Sequence, residues 1–157
     1  MALAIKIVLL LVLGAIAALI VFSIFFFFRP VAVTFWLRRV ALRCGGFRKA
    51  AFATSAGKQI VWHGGQGPLL VLLHGAGDQA GTWCKVAPEL KAQFQLLMPD
   101  LAGHGQSEPL TGVLSLGTLL TALEQVLDTT PWRDVPLVLA GNSLGAWIAM
   151  LYAHRHP

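Results

Sequence analysis

The chain begins with a long apolar run. No charged residue occurs between Lys6 and Arg29, so 22 consecutive residues are uncharged. A helix of this length spans about 33 Å, slightly more than the hydrocarbon core of a bilayer, which is about 30 Å thick. A secretory signal peptide is the alternative, but its apolar region usually has about 7–15 residues and ends at a small-residue cleavage site. This run ends in four phenylalanines. We therefore expect an uncleaved transmembrane anchor over residues 1–29.

A short amphipathic segment follows the anchor. Apolar residues recur in it at helical spacing, namely Val33, Trp36, Leu37, Val40 and Ala41. Arg38 and Arg39 are turned away from this apolar side. The pattern predicts a helix in the lipid headgroup region, with Trp36 as an interfacial anchor. The alternative is that the segment continues the membrane helix as its polybasic border. In both cases residues 30–47 form a basic juxtamembrane segment that keeps the following domain close to the lipid.

From residue 48 onward, short apolar strands alternate with helices. The predicted elements are a hairpin of strands at 48–55 and 59–63, strands at 69–73, 95–98 and 136–140, and helices at 82–93, 115–128 and 144–155. The last helix is apolar on nearly every side, which is typical of a buried helix. Continuous apolar strands separated by helices predict a parallel sheet with helices on both faces. We expect an α/β domain over residues 48–157.

The formal net charge of +5 is unevenly distributed along the chain. Residues 1–77 carry eight Lys or Arg and no acidic residue, whereas residues 78–157 carry four Lys or Arg and seven Asp or Glu. The basic excess therefore belongs to the membrane-proximal part, and we expect no nucleic-acid partner. Because more basic residues follow the apolar run than precede it, the positive-inside bias predicts a cytoplasmic C-terminal domain. Cys44 and Cys84 are too few for a disulfide framework.

Three glycine-containing loops follow three of the predicted strands. They are LHGAG at 73–77, PDLAGHGQS at 99–107 and GNSLG at 141–145. Carboxyl ends of parallel strands meet at one edge of a sheet, so these loops should gather there. The pattern G-x-S-x-G between a strand and a helix predicts a tight turn that presents the serine hydroxyl, with glycines that give the turn and the helix room. Ser143 is therefore a candidate nucleophile.

On these three motifs, the chain from about Gln59 to Pro157 resembles the α/β-hydrolase superfamily. The apolar segment ahead of the domain is similar to that of membrane-bound monoacylglycerol lipases and related bacterial esterases. Where the family often has a further glycine, this chain has Ala146. The resemblance implies hydrolysis of a lipid ester or a small ester through an acyl-serine intermediate, without a cofactor or a metal.

The resemblance also implies roles for the loop residues. Ser143 would be the nucleophile, and the backbone N–H groups of Ala76 and Leu144 would form the oxyanion hole. The residues expected to shape the loops or to approach the substrate are His74, Gly75, Gly77 and His104. A serine in place of an aspartate nucleophile argues against haloalkane dehalogenase and epoxide hydrolase chemistry, whereas hydrolysis of carbon–carbon bonds stays open.

The triad partners of the serine are not evident in the sequence. The family order is Ser, then Asp or Glu, then His, but no acidic residue follows Ser143. His154 lies about 16 Å along the same predicted helix, so neither it nor His156 can reach the hydroxyl. Asp100 is expected to hydrogen-bond its own loop, and His63 is a weak candidate for the base. We interpret the chain as the N-terminal portion of a longer hydrolase and expect it not to turn over alone. A short product completed by a partner is the alternative.

Two other functions fit parts of the sequence. Residues 75–80, GAGDQA, match the dinucleotide-binding pattern G-x-G-x-x-G/A, and Asp100 lies near the expected position of a ribose ligand. That function leaves the Ser143 loop and residues 103–105 unexplained. A non-catalytic membrane protein on a degenerate hydrolase scaffold fits the missing triad partners but not the intact serine motif.

Overall fold

The computed structural model describes residues 2–131 and 135–157 and divides the chain into two compact units, Met1–Leu37 and Arg38–Pro157. The first helix, α1, is Ala2–Phe28, and the second, α2, is Pro30–Cys44. Within α1, the segment Leu3–Phe28 is long and apolar enough to span a membrane. A proline is favoured at the first position of a helix, where its missing N–H is not needed, so α2 begins at Pro30.

The second unit is built on a five-stranded mixed sheet. Its strands are β1 Arg48–Thr54, β2 Gly57–Gly64, β3 Leu69–Leu73, β4 Gln95–Pro99 and β5 Leu137–Gly141. They lie in the order β1-β2-β4-β3-β5. β1 and β2 form the expected antiparallel hairpin, and β2 is antiparallel to β4. β3 lies between β4 and β5 and is parallel to both, so the predicted parallel strands are confirmed in this half of the sheet.

Helices cover both faces of the sheet, as predicted. On one face, α4 (Leu116–Thr129) and α5 (Leu144–Arg155) pack on alternate strand residues that include Val61, Val71, Leu73 and Leu97. On the other face, Leu42 of α2, a 3₁₀ helix (Ala80–Lys85) and α3 (Ala87–Leu90) pack on Leu70, Leu72, Leu96 and Met98. Successive side chains of a strand point to opposite faces, so the continuous apolar runs of β3 and β4 supply both cores.

The helix predicted over residues 82–93 is wrong. The chain forms the 3₁₀ helix and the single turn of α3 there instead. Pro88 lies at the start of α3, where its missing N–H is tolerated, and it cannot continue a helix from the preceding turn. The helices predicted over 115–128 and 144–155 are confirmed as α4 and α5. Ser115 caps α4, where its side chain accepts a hydrogen bond from the backbone N–H of Thr118.

β5 and α5 are less buried than their apolar sequences predict. β5 is the last strand of the sheet, and the side chain of Val138 is half exposed. In α5, Gly145 and Ile148 are buried, whereas Trp147 and Met150 are 52% and 65% exposed. α5 packs on β5, β3 and α4 through one side only. Within the described residues, no strand pairs with the outer edge of β5.

Candidate active site

Ser143 lies in a sharp turn between β5 and α5. Its backbone has φ +52° and ψ −114°, and it is the one non-glycine residue with positive φ in the described part of the chain. Such a conformation typically costs about 1–3 kcal/mol, so the surrounding structure must hold it. The backbone N–H of Asn142 donates to the carbonyl oxygen of Leu73 at 3.0 Å, and that of Trp147 donates to the carbonyl oxygen of Ser143 at 3.1 Å. The turn presents an exposed serine at the edge of the sheet.

Both glycines of the serine motif lie where backbone segments meet. A Cβ on Gly145 would overlap the carbonyl group of Leu73 and would lie 2.7 Å from the carbonyl oxygen of His74. A Cβ on Gly141 would overlap the backbone of Gly145 and Ala146. The start of α5 therefore lies directly on the end of β3, which brings the loop after β3 close to Ser143.

The loop after β3 lies beside the serine. A Cβ on Gly75 would be 3.6 Å from the Cβ of Ser143. The backbone N–H of Asp78 donates to the carbonyl oxygen of Gly75 at 3.2 Å and closes a turn around Ala76, which is exposed. Within the described residues, no hydrogen bond is donated by the backbone N–H of Ala76 or of Leu144. Both N–H groups are therefore without an acceptor among the described residues.

His74 is fully buried, and backbone groups use both of its ring nitrogens. Nδ1 lies 2.8 Å from the carbonyl oxygen of Gly75, and Nε2 lies 2.9 Å from the backbone nitrogen of Leu101. A carbonyl oxygen only accepts and a backbone N–H only donates, so Nδ1 carries the proton and Nε2 is the acceptor. Burial lowers the pKa of His74, in agreement with this neutral form. With both nitrogens occupied, His74 shapes the loops and cannot serve as a base.

His104 links the second loop to the first. Its ring centroid lies 5.3 Å from that of His74, and its Nδ1 lies 3.0 Å from the carbonyl oxygen of Ala102. The structure thus brings His74, His104 and Gly75 to the edge of the sheet that holds Ser143. Gly77 completes the first loop with φ +71°.

Asp100 is buried and holds the second loop in place. Its Oδ1 accepts from the backbone N–H of Ala80 at 2.7 Å, and its Oδ2 accepts from that of Gln106 at 2.8 Å. Its carbonyl oxygen also accepts from the hydroxyl of Ser107 at 2.6 Å. Both carboxylate oxygens bind backbone N–H groups of the loops, and Asp100 is only 1% exposed, so its carboxylate is not accessible to a ribose. The dinucleotide-binding alternative therefore lacks the acidic residue that was expected to bind the ribose.

The other histidines lie away from Ser143. His63 is in β2, three strand positions from β5, which corresponds to about 14 Å. His154 and His156 lie at the opposite end of α5, where Nε2 of His156 is 3.0 Å from Oε1 of Glu124. Within the described residues, no histidine or carboxylate forms a hydrogen bond with the hydroxyl of Ser143.

Two arginines of α2 contact the loop after β3, which the helical pattern did not predict. Nη1 of Arg38 donates to Oδ1 of Asp78 at 3.1 Å, and Nη1 of Arg39 donates to Oε1 of Gln79 at 3.0 Å. The sequence placed both arginines on the polar side of a lipid-facing helix. The order of charged residues along the chain is the sequence feature that indicates this contact, because Asp78 is the first acidic residue after eight basic ones.

Known structures share the fold of this chain. A membrane phospholipase A, described as a bacterial virulence factor, has a crystal structure similar to this chain, with a TM-score of 0.70 and 29% identity. The match covers 94% of this chain and 48% of that chain. A mutant form of a candidate epoxide hydrolase from Pseudomonas aeruginosa gives a TM-score of 0.62 at 31% identity, over 71% of this chain and 38% of that chain.

Proteins related in sequence include esterases. The pimeloyl-[acyl-carrier protein] methyl ester esterase of Chromobacterium violaceum is 37% identical over 95 residues, which are 59% of this chain and 34% of that protein. The chain thus spans about a third of the length of this curated relative. Residues 68–157 match the sequence profile of the alpha/beta hydrolase fold. The chain belongs to the α/β-hydrolase family.

Proposed function

We propose that this protein acts as a membrane-anchored serine hydrolase that cleaves carboxylic or lipid esters. The observation that carries the proposal is Ser143, an exposed serine in a strained turn beside the Gly75 loop. In the proposed reaction, Oγ of Ser143 attacks the ester carbonyl carbon, and the N–H groups of Ala76 and Leu144 stabilise the developing oxyanion. The alcohol leaves with a proton, and water then hydrolyses the acyl-serine. His74, Gly75, Gly77 and His104 would shape the substrate side of the loops.

The type of nucleophile favours esters over epoxides. Attack of a serine on an ester gives an acyl-enzyme, which water can hydrolyse. Attack of the same serine on an epoxide would leave an alkyl ether, which water does not cleave readily. The phospholipase and the methyl ester esterase among the relatives support the ester substrate, and they act on it as whole proteins longer than this chain.

The proposed reaction needs a base, because a serine hydroxyl is a weak nucleophile until its proton is removed. We propose that a region equivalent to the remainder of the relatives supplies the histidine and the acid, and that it packs along the outer edge of β5. This edge borders a groove of about 730 Å³. The groove is lined by apolar residues that include Leu137, Val138, Leu139, Met150 and Tyr152. An unpaired strand edge beside apolar side chains suits the addition of a further strand.

Labelling with a fluorophosphonate probe tests the proposed nucleophile. Oxyanion donors retain part of their effect when triad members are missing, so we expect slow labelling of Ser143 that is still faster than that of the other serines. The Ser143→Ala variant should lose this label, and the exposed control Ser55→Ala should keep it. Mass spectrometry of the peptides would locate the adduct. Absence of Ser143 labelling would favour the non-catalytic scaffold, and rapid Ser143-dependent turnover of p-nitrophenyl esters would contradict the proposed need for a further region.

We also propose that α1 anchors the protein with its C-terminal domain in the cytoplasm. The support is the apolar segment Leu3–Phe28, the basic residues that follow it, and the match to a membrane phospholipase over 94% of the chain. In right-side-out vesicles, added protease is expected to leave the domain intact until the vesicles are lysed. Inverted vesicles serve as the control, in which digestion should occur directly. Digestion of the domain in intact right-side-out vesicles would reverse the orientation.

A further inference from the structure

The C-terminal part of α2 packs directly on the loop that follows β3. A Cβ on Gly81 would lie 2.8 Å from the Cβ of Arg38 and 3.3 Å from its carbonyl carbon. Gly81 is buried, so the helix and the end of this loop are in close contact. A shift of α2 at Arg38 would therefore displace the loop.

Two guanidinium groups add polar contacts to consecutive residues of the same loop. Arg38 donates to Oδ1 of Asp78, and this oxygen also accepts from the backbone N–H of Gln79 at 2.9 Å. Arg39 donates to Oε1 of Gln79, which is fully buried. Both arginines thus orient residues 78–79 through charge-assisted hydrogen bonds.

These contacts lie next to the part of the loop that faces Ser143. The backbone N–H of Ala80 is held by Asp100 on one side, and the ring of His74 is held by backbone groups on the other. Between these fixed points, Ala76 and Gly77 are exposed, and a Cβ on Gly77 would meet no atom within 4 Å. The position of the Ala76 N–H is therefore set by the residues on either side of it. Asp78 is one of these, because its backbone N–H donates a hydrogen bond to the carbonyl oxygen of Gly75.

We infer that Arg38 and Arg39 are positioning residues for the oxyanion side of the site. They hold the loop so that the Ala76 N–H stays beside Ser143, and they make the membrane-proximal helix part of the support of the catalytic loop. This inference rests on the proposed hydrolase function. Neither arginine touches the reacting atoms. Their removal should shift the Ala76 N–H, which stabilises the developing oxyanion, and should therefore lower the rate of covalent reaction rather than weaken probe binding.

Hydrogen exchange of the loop amides tests this role in the full chain, reconstituted in lipid nanodiscs. Arg38 and Asp78 are partly exposed, with side-chain exposures of 37% and 27%, so we expect exchange at residues 76–80 to rise by about three- to fivefold in Arg38→Gln and Arg39→Gln. Arg38→Lys keeps the charge and should restore near-wild-type exchange. Arg43→Gln is the matched control, because Arg43 lies on the same helix and is exposed.

Fluorophosphonate kinetics give the second readout. The maximal rate of Ser143 labelling should fall in Arg38→Gln and Arg39→Gln, with the half-saturating probe concentration unchanged. Unchanged loop exchange in both Arg38→Gln and Arg39→Gln would overturn the inference, and so would a uniform rise that also includes the β1–β2 hairpin. If wild-type Ser143 does not react, the proposed hydrolase function fails, and the exchange data alone decide whether the arginines hold the loop.

Discussion

Replacing Gly145 by alanine is expected to lower the free energy of unfolding by about 3 kcal/mol. The added Cβ would overlap the carbonyl group of Leu73 and crowd that of His74. Both are backbone groups at the end of β3, which is hydrogen-bonded on both sides. Neither can move as a flexible side chain would, so α5 and β3 must separate. Urea unfolding in detergent micelles, followed by tryptophan fluorescence, would measure the loss.

Gly117→Ala is the matched control for this substitution. A Cβ on Gly117 would meet only the hydroxyl of Ser115, at 3.6 Å, near the start of α4. Alanine in a helix is favoured over glycine, so this variant should gain about 0.5 kcal/mol. If the two alanine variants had similar stabilities, the close contact between α5 and β3 would be refuted.

Asp100→Ala is expected to destabilise the domain by about 2–4 kcal/mol. The substitution removes the acceptors of two backbone N–H groups, those of Ala80 and Gln106, and Ala80 is fully buried. A buried donor without a partner loses its hydration and gains nothing in return. Asp100→Asn should show a smaller loss, since the amide keeps one acceptor oxygen but turns an NH₂ group toward a donor. Thermal and urea unfolding would measure both variants.

The control for Asp100 is Asp128→Ala. Asp128 is exposed near the end of α4, so its removal should change stability by no more than about 0.5 kcal/mol. A loss at Asp100 as small as this would mean that its carboxylate does not hold the loops. A large loss at Asp128 would show instead that the domain responds to its overall charge.

The features predicted correctly from the sequence are those set by local pattern. The continuous apolar run of β3 and the regular stripe of α4 each determine one element, and Ser115 marks where α4 begins. The order of strands and helices predicted that the three loops gather at one edge of the sheet, and the parallel pairing of β3 with β4 and β5 confirms it.

The features that were missed depend on contacts between distant parts of the chain. Burial of β5 and α5 was inferred from their composition, but exposure depends on strand order, which places β5 last. The apolar pattern over residues 82–93 did not show that the segment divides into two short helices next to Pro88. Arg38 and Arg39 looked like lipid-facing charges, because their spacing says nothing about a loop 40 residues away.

The backbone of Ser143 carries an evolutionary consequence. A residue with a side chain at φ +52° is less stable than glycine at that position by about 1 kcal/mol or more. A chain that made no use of the hydroxyl would therefore be more stable with glycine at this position. Retention of a serine in this conformation is expected where selection maintains the hydroxyl, and this weighs against a scaffold that has abandoned catalysis.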